Sequence, residues 1–298
     1  MKFVKDIELG DPSSNKQNFV DIKLKLLCCR YWLIDIWDCH DMVFPFWRIY
    51  WNRNEGGQLI HQDNVFDMDP NCIYIIPPFT SFSSRFKKNH IYSKGIHVSG
   101  KHLTGNLNED EVESQLIHFF THFKLGVPFD NVYPGILKVE LTEYLKERLI
   151  YLTGILKIEN KDFKLTFNLK LQAFIKEALT NIGPELWKAI NIDERVLKVI
   201  RFIEANINEK LSNTDLADII NMAPNSFARL FKEEMNTTLH NFIQMRKIAK
   251  SCELFEHTNK TIEEVAEDLG FSDRYHFSRV FKSVTGLTPA YYKSGRYT

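Results

Sequence analysis

Arg229 and Arg279 stand out in this 298-residue chain because they occupy the same place in a pattern that occurs twice. Phe227-Ala-Arg229-Leu-Phe231-Lys232 can be laid on Phe277-Ser-Arg279-Val-Phe281-Lys282 at an offset of 50. Upstream, Leu216-Ala217-Asp218-Ile219-Ile220-Asn221-Met222 can be laid on Val265-Ala266-Glu267-Asp268-Leu269-Gly270-Phe271 at an offset of 49, so one residue is inserted between the two matches. A guanidinium presents paired donors that fit the O6 and N7 acceptors of guanine, worth about 1–3 kcal/mol of discrimination between bases. Lys232 and Lys282, one residue beyond the second Phe of each copy, suit phosphate oxygens, which adds affinity without sequence information.

Such side chains act only if rigid helices present them, and each copy reads as a helix-turn-helix. Thr261 with Glu264 forms a capping box, Leu269-Gly270 ends the first helix of the second copy, and Ser272 is placed to cap the next. In the first copy Ser212 and Asp215 serve likewise, and Pro224 stands at a first helical position. Asn221 replaces the turn glycine and Asn236 replaces Gly286, Asn being the best non-glycine residue for a left-handed conformation. Small Ala217 and Ala266 let two helices approach closely, and a helix over 239–255 with Phe242, Met245, Ala249 and Cys252 inward would fix the separation of the copies. With Phe227, Leu230 and Phe231 packed behind one helix and Phe277 and Phe281 behind the other, Asn225, Ala228, Arg229 and Lys232, and Arg274, Tyr275, Ser278, Arg279 and Lys282, are left on the exposed faces.

The stretch Thr261-Ile-Glu-Glu-Val-Ala-Glu-Asp-Leu-Gly-Phe-Ser-Asp-Arg-Tyr-His-Phe-Ser-Arg-Val-Phe-Lys-Ser-Val-Thr-Gly-Leu-Thr-Pro-Ala-Tyr-Tyr292 resembles, nearly throughout, the second helix-turn-helix of the AraC/XylS family of bacterial transcriptional regulators. The resemblance covers 194–298, with Ala223 standing where the family usually has a capping Ser and Asn236 where it usually has Gly. It implies a sequence-specific DNA-binding regulator, an activator that responds to a small-molecule effector. It also puts Asn225, Ala228, Arg229, Arg274, Tyr275, Ser278 and Arg279 at or beside base-contacting positions. Two recognition helices in one chain predict two successive major-groove segments on one face of double-stranded DNA, about 34 Å apart. The β-rich front half resembles the family's cupin-like effector domain more weakly.

In that front half, from about 23 to 126, eight of the 21 residues between Tyr31 and Trp51 are aromatic, and Asn54-Glu-Gly-Gly57, Pro77-Pro78 and Gly126-Val-Pro128 break up short β-like runs. The pattern predicts a sandwich or barrel. Trp32, Trp37, Trp47, Arg48, Trp51 and His61 are either an effector-binding group, for instance for a sugar stacked on an aromatic face, or aromatic core with flanking charge. A metal-dependent cupin enzyme is the alternative class. It needs converging His and carboxylate ligands, yet no His-x-His occurs, and His118 and His122 are four apart. No catalytic residue, metal site or cofactor is therefore assigned.

Next, Leu141, Leu145, Leu149, Leu152 and Leu156 trace one helical stripe, and a second helix follows through Phe174, Ile175, Ala178 and Ile182. The stripe either covers the barrel or faces a partner chain, which leaves open a ligand-independent DNA-binding dimer whose front half only pairs subunits or contacts RNA polymerase. The fold class is thus α+β and multidomain: a cupin-like β-sandwich/barrel over 1–135, a helical dimerisation or linker region over 136–190, and an all-α domain with two helix-turn-helix units over 191–298.

Equal numbers of basic and acidic residues give no charge signal for the whole chain; only the stretch from Gly270 on is lopsided, with Arg274, Arg279, Lys282, Lys293 and Arg296 against Asp273. Five scattered cysteines are no disulfide framework, no uncharged stretch is long enough to span a bilayer, and the first ten residues lack a secretory signal. A cytoplasmic homodimer without membrane contact is expected.

Overall fold

The computed structural model describes residues 22–88, 96–105, 114–158, 162–187, 192–209, 211–235 and 237–294. Asn236, Arg296 and the first ten residues, on which readings were made above, lie outside them.

Strand β1 (Lys25–Met42) is 18 residues long. Its register shifts between Leu26 and Cys28, between Ile34 and Ile36, and between Cys39 and Met42. Each irregularity bends the strand, so β1 pairs in turn with β8 (Leu116–Lys124), β7 (Ile96–His102) and β6 (Phe82–Phe86). With β2 (Trp47–Asn52), β3 (Gly57–His61), β4 (Asn64–Asp67), β5 (Cys72–Ile76) and β9 (Leu137–Glu140), this gives a 9-stranded antiparallel sheet in the order β4-β3-β6-β1-β8-β2-β5-β9, with β7 beside β1. The sheet curls into a half-barrel. Strand β9 lies inside the stretch read as helical and pairs with β5.

Side chains alternate across this sheet and build two cores. One face carries Tyr31, Leu33, Trp47, Ile49, Ile117, Phe119 and Phe123 against helices α1 (Glu143–Leu156) and α2 (Leu165–Thr180). Leu145, Leu149, Leu152 and Leu156 are all buried there, so the leucine stripe covers the barrel and is not free for a partner. The other face lines the barrel interior with Ile34, Trp37, Tyr50, Leu59, Tyr74 and Leu116.

The C-terminal region is helical: α3 (Glu194–Ala205), α4 (Asn213–Asp218), α5 (Pro224–Met235), α6 (Leu239–His257), α7 (Ile262–Asp268), α8 (Arg274–Thr285) and α9 (Pro289–Ser294). The 19-residue α6 is about 28 Å long. Phe242 and Ile243 at its start join the core of the first unit, while Ile248, Cys252 and Phe255 further on join that of the second. Met245, read as inward, is only half-buried, whereas the neighbouring Arg246 and Lys247 are buried. Arg246 pairs with Glu204, and Lys247 donates to the carbonyls of Leu269 and Glu209 at 2.6 and 3.3 Å. A cation thus sits at the C-terminal end of α7, where it complements the helix dipole.

The helical region rests on the barrel through polar and aromatic contacts. Glu253 of α6 takes ion pairs from Lys124 at 2.9 Å and Lys25 at 3.2 Å on the barrel and from Lys250 at 3.0 Å on its own helix. Burial opposes ionisation of Glu253, but Lys124 and Lys250 outweigh it and bring the carboxyl down to about 2. Tyr292 of α9 lies against Phe44 of the barrel, with ring centroids 6.1 Å apart.

Candidate nucleic-acid interface and sensor cavity

The two helix-turn-helix units share two backbone hydrogen bonds at the turn: the Asn221 amide donates to the Asp218 carbonyl as the Gly270 amide does to that of Glu267, and a second pair follows one residue on. The Met222 amide donates to the Ala217 carbonyl at 3.1 Å, and the Phe271 amide to the Ala266 carbonyl at 3.0 Å. Asn221 has φ +53° and Gly270 φ +64°, so Asn221 does adopt the left-handed conformation the turn demands. At Gly270 an added Cβ would lie 3.2 Å from the Asn208 carbonyl oxygen. Thr261 and Glu264 form the full capping box, and the Ser212 hydroxyl accepts from the Asp215 amide. The cap of α8 is Asp273 rather than Ser272: its carboxylate accepts from the Tyr275 and His276 amides at 2.8 and 2.7 Å, bonds that hold it below its ordinary range, while Ser272 donates to Asp273.

Behind each recognition helix the same rings recur. Phe227 and Phe231 are fully buried with centroids 5.7 Å apart, and Phe277 and Phe281 are likewise buried at 5.6 Å. Phe231 packs on Phe242 and Phe281 on Tyr292, each at 5.4 Å. These rings fix which helix face is outward. Asn225, Arg229 and Lys232 on α5, and Arg274, Tyr275, Arg279 and Lys282 on α8, are exposed; Ala228 and Ser278 between them are half-buried. Tyr275 is 70% exposed, unusual for a large aromatic side chain, with the Arg274 guanidinium 5.3 Å from its ring centre.

The units differ at their arginines. Arg229, with its side chain 82% exposed, is held by Glu233 one turn on at 2.9 Å, whereas Arg279 makes no ion pair among the described residues. An open groove of about 550 Å³ runs beside α5 and is walled by Arg229, Lys232, Asn213, Thr238 and His240. The last three were not singled out from sequence; Thr238 could have been, since it caps α6 by accepting from the Asn241 amide.

The aromatic cluster of the front half divides between the faces of the sheet. Trp32, Trp37 and Arg48 line a narrow interior cavity of about 40 Å³ together with Phe44, Tyr50, His118 and His122. Trp47, Trp51 and His61 lie elsewhere. Trp47 is buried against Trp187 and donates to Asp130 at 3.1 Å, Trp51 stacks on Tyr31 and donates to the Pro70 carbonyl at 2.7 Å, and His61 bonds the Ser81 carbonyl at the rim. His118 and His122 point into the cavity because alternate residues of β8 share a face. Burial brings His118 down to about 3 and holds His122 well below its ordinary value, with Arg48 adding to the effect, so both are neutral at pH 7. No group of three or more His, Cys, Asp or Glu capable of holding a metal occurs among the described residues.

Arg48 is 3% exposed. Its guanidinium lies 3.5 Å from the Phe44 ring centre and 4.8 and 5.3 Å from those of Phe46 and Phe82, contacts worth about 0.5–2 kcal/mol each. It makes no ion pair or hydrogen bond among the described residues, and its Nε is buried without a partner, as is Nε2 of His122.

A helix-turn-helix domain model matches residues 216–295. An uncharacterized HTH-type transcriptional regulator of Bacillus subtilis, YfiF, is 33% identical over 112 residues, covering 37% of this chain and 35% of that protein. The transposon Tn10 TetD protein of Escherichia coli is 33% identical over 98 residues, covering 33% of this chain and 71% of TetD. The chain belongs to the AraC/XylS family. Its match spans only about a third to a half of the length of the first curated relatives. ToxT from Vibrio cholerae superposes over 92% of this chain and 98% of its own with a TM-score of 0.55 at 12% identity, which shows that this family member shares ToxT's fold from the barrel to the last helices.

Proposed function

We propose that this AraC/XylS-family chain is a sequence-specific DNA-binding transcriptional activator in which α5 and α8 each enter one of two successive major-groove segments. The observation that carries the reading is the repetition itself. Two turns with two equivalent backbone hydrogen bonds and two pairs of buried phenylalanines present Arg229 and Arg279 on equivalent exposed faces. Arg229, Arg274 and Arg279 read base edges, helped by Asn225, Ala228, Tyr275 and Ser278, while Lys232 and Lys282 hold phosphates.

In this reading the half-barrel senses a small-molecule effector in its interior cavity, and ligand occupancy biases how the helical region sits on the barrel. Two copies pair through the outer faces of α1 and α2, where Ile150, Leu165 and Leu169 are exposed, and the dimer raises transcription through contact with RNA polymerase. The chain performs no catalysis.

Selection of bound duplexes from a random pool, followed by a reporter driven by the enriched site, tests the reading. Two boxes about one helical turn apart and a signal that rises with the protein are expected. A well-folded protein that enriches nothing, with or without added metabolites, refutes the DNA-reading role; a falling signal makes the protein a repressor. Replacing Ile150 and Leu169 by Glu should give a folded monomer in sedimentation, and a persisting dimer rules out that interface.

A further inference from the structure

The barrel interior buries the guanidinium of Arg48, which has no ion-pair partner among the described residues. Arg48 on β2 and His122 on β8 face each other across the strand pair, so their side chains enter the cavity as neighbours. Arg48 lies against the rings of Phe44, Phe46 and Phe82, and Nε of Arg48 and Nε2 of His122 are buried without hydrogen-bond partners among the described residues. Removing a cation from water is costly unless an opposite charge and hydrogen bonds replace the water. The rest of the wall tells what shape of anion fits. His118 gives its Nδ1 proton to the Asn52 carbonyl oxygen at 2.7 Å, because the Asn52 amide nitrogen is turned to Met68, and the remaining lining is largely aromatic and aliphatic. One cation and one neutral imidazole donor balance a monoanion with two acceptor oxygens; a dianionic phosphate would remain half-neutralised. A cavity of about 40 Å³ has room for roughly three water-sized groups.

We infer that the barrel cavity is a carboxylate site, in which the guanidinium of Arg48 and Nε2–H of His122 bind the two oxygens of a compact monocarboxylate or of the carboxylate end of a longer acid. The inference rests on the sensor role proposed above and names the ligand class of that site. It also supplies a route outward. Phe44, on which the guanidinium lies, also neighbours Tyr292, and Tyr292 packs on Phe281 behind α8. A carboxylate that draws Arg48 off the Phe44 ring alters the contact that seats the second recognition helix.

The test is titration of the full chain with acetate, hexanoate and benzoate, and with the corresponding neutral amides, at constant chloride and ionic strength. Fluorescence of Trp32 and Trp37 in the cavity wall and the melting temperature are the readouts. Saturable binding of the carboxylates, absent for the amides and weakened at least tenfold in Arg48→Gln, is the expected result, with His122→Phe as a second variant in case Arg48→Gln fails to fold. Tightest binding by acetate means a closed compact site, and tightest binding by the longer acids means that a tail follows the aromatic wall; both support the assignment. Amides that bind as well as carboxylates, or carboxylate binding unchanged in both variants, overturn it while leaving a sensor for another ligand class intact. Arg48-dependent carboxylate binding that leaves DNA affinity unchanged keeps the site and removes the sensor role.

Discussion

The two helix-turn-helix units share one architecture but are finished to different standards. The second has a complete capping box on α7, Gly270 in its turn, the Asp273 cap on α8 and Gly286 closing that helix in the left-handed conformation. The first holds Asn221 in the left-handed conformation and engages its arginine with Glu233. Evenly buried phenylalanines make both helices stable scaffolds. What differs is how much each must give up to meet DNA: Arg279 is available as it stands, and Arg229 has to leave an ion pair. In the DNA-reading role proposed above, this makes the second unit the stronger reader of sequence and gives the first a second box of lower stringency.

Changes to the shared rings should test the common scaffold first. Phe231→Ala and Phe281→Ala each remove a fully buried ring and should cost about 3–5 kcal/mol in chemical denaturation, by similar amounts. A loss confined to one of them would show that the cores are not equivalent. Arg279→Ala should erase preference at one base step, about 1–3 kcal/mol by competition between matched and altered duplexes. Equal weakening on every sequence would make Arg279 a phosphate contact instead. Gly270→Ala should cost about 1–2 kcal/mol, because a side chain there is strained at positive φ and meets the Asn208 carbonyl; Asn221→Gly, in contrast, should be neutral or slightly stabilising. The smallest effect is expected for Glu233→Gln. Freeing Arg229 from this exposed pair should tighten DNA binding by no more than about twofold, seen by anisotropy at low salt. Unchanged affinity would mean that Arg229 keeps its solvent-facing position on DNA.

The helical half was legible because its signals are local. Apolar spacing, capping residues and a repeat at near-constant offset specify each unit without knowledge of distant contacts. The cavity was only half legible. Within β2 alternation separates Trp47 and Trp51 from Arg48 and Tyr50, but nothing in the sequence tells which set meets the helices and which the interior. In β1 the parity itself misleads. Trp32 and Trp37 are five apart and would face opposite ways in a regular strand, yet the register shift between Ile34 and Ile36 brings both to the cavity. The leucine stripe was equally ambiguous, since an amphipathic face shows that it is buried and not what buries it. The contacts that seat the helices on the barrel, such as Lys124 with Glu253, join residues far apart in the chain and have no sequence signature.

The central claim, two recognition helices of unequal strength in one chain, is tested most directly by random-duplex selection run in parallel on the unaltered protein, Arg229→Ala and Arg279→Ala. The expected outcome is two boxes about one helical turn apart for the unaltered protein. Arg279→Ala should lose the preference at one base step of one box, and Arg229→Ala should leave that box intact while the other becomes degenerate. A single short box in all three selections, or the same box lost in both variants, would contradict the account.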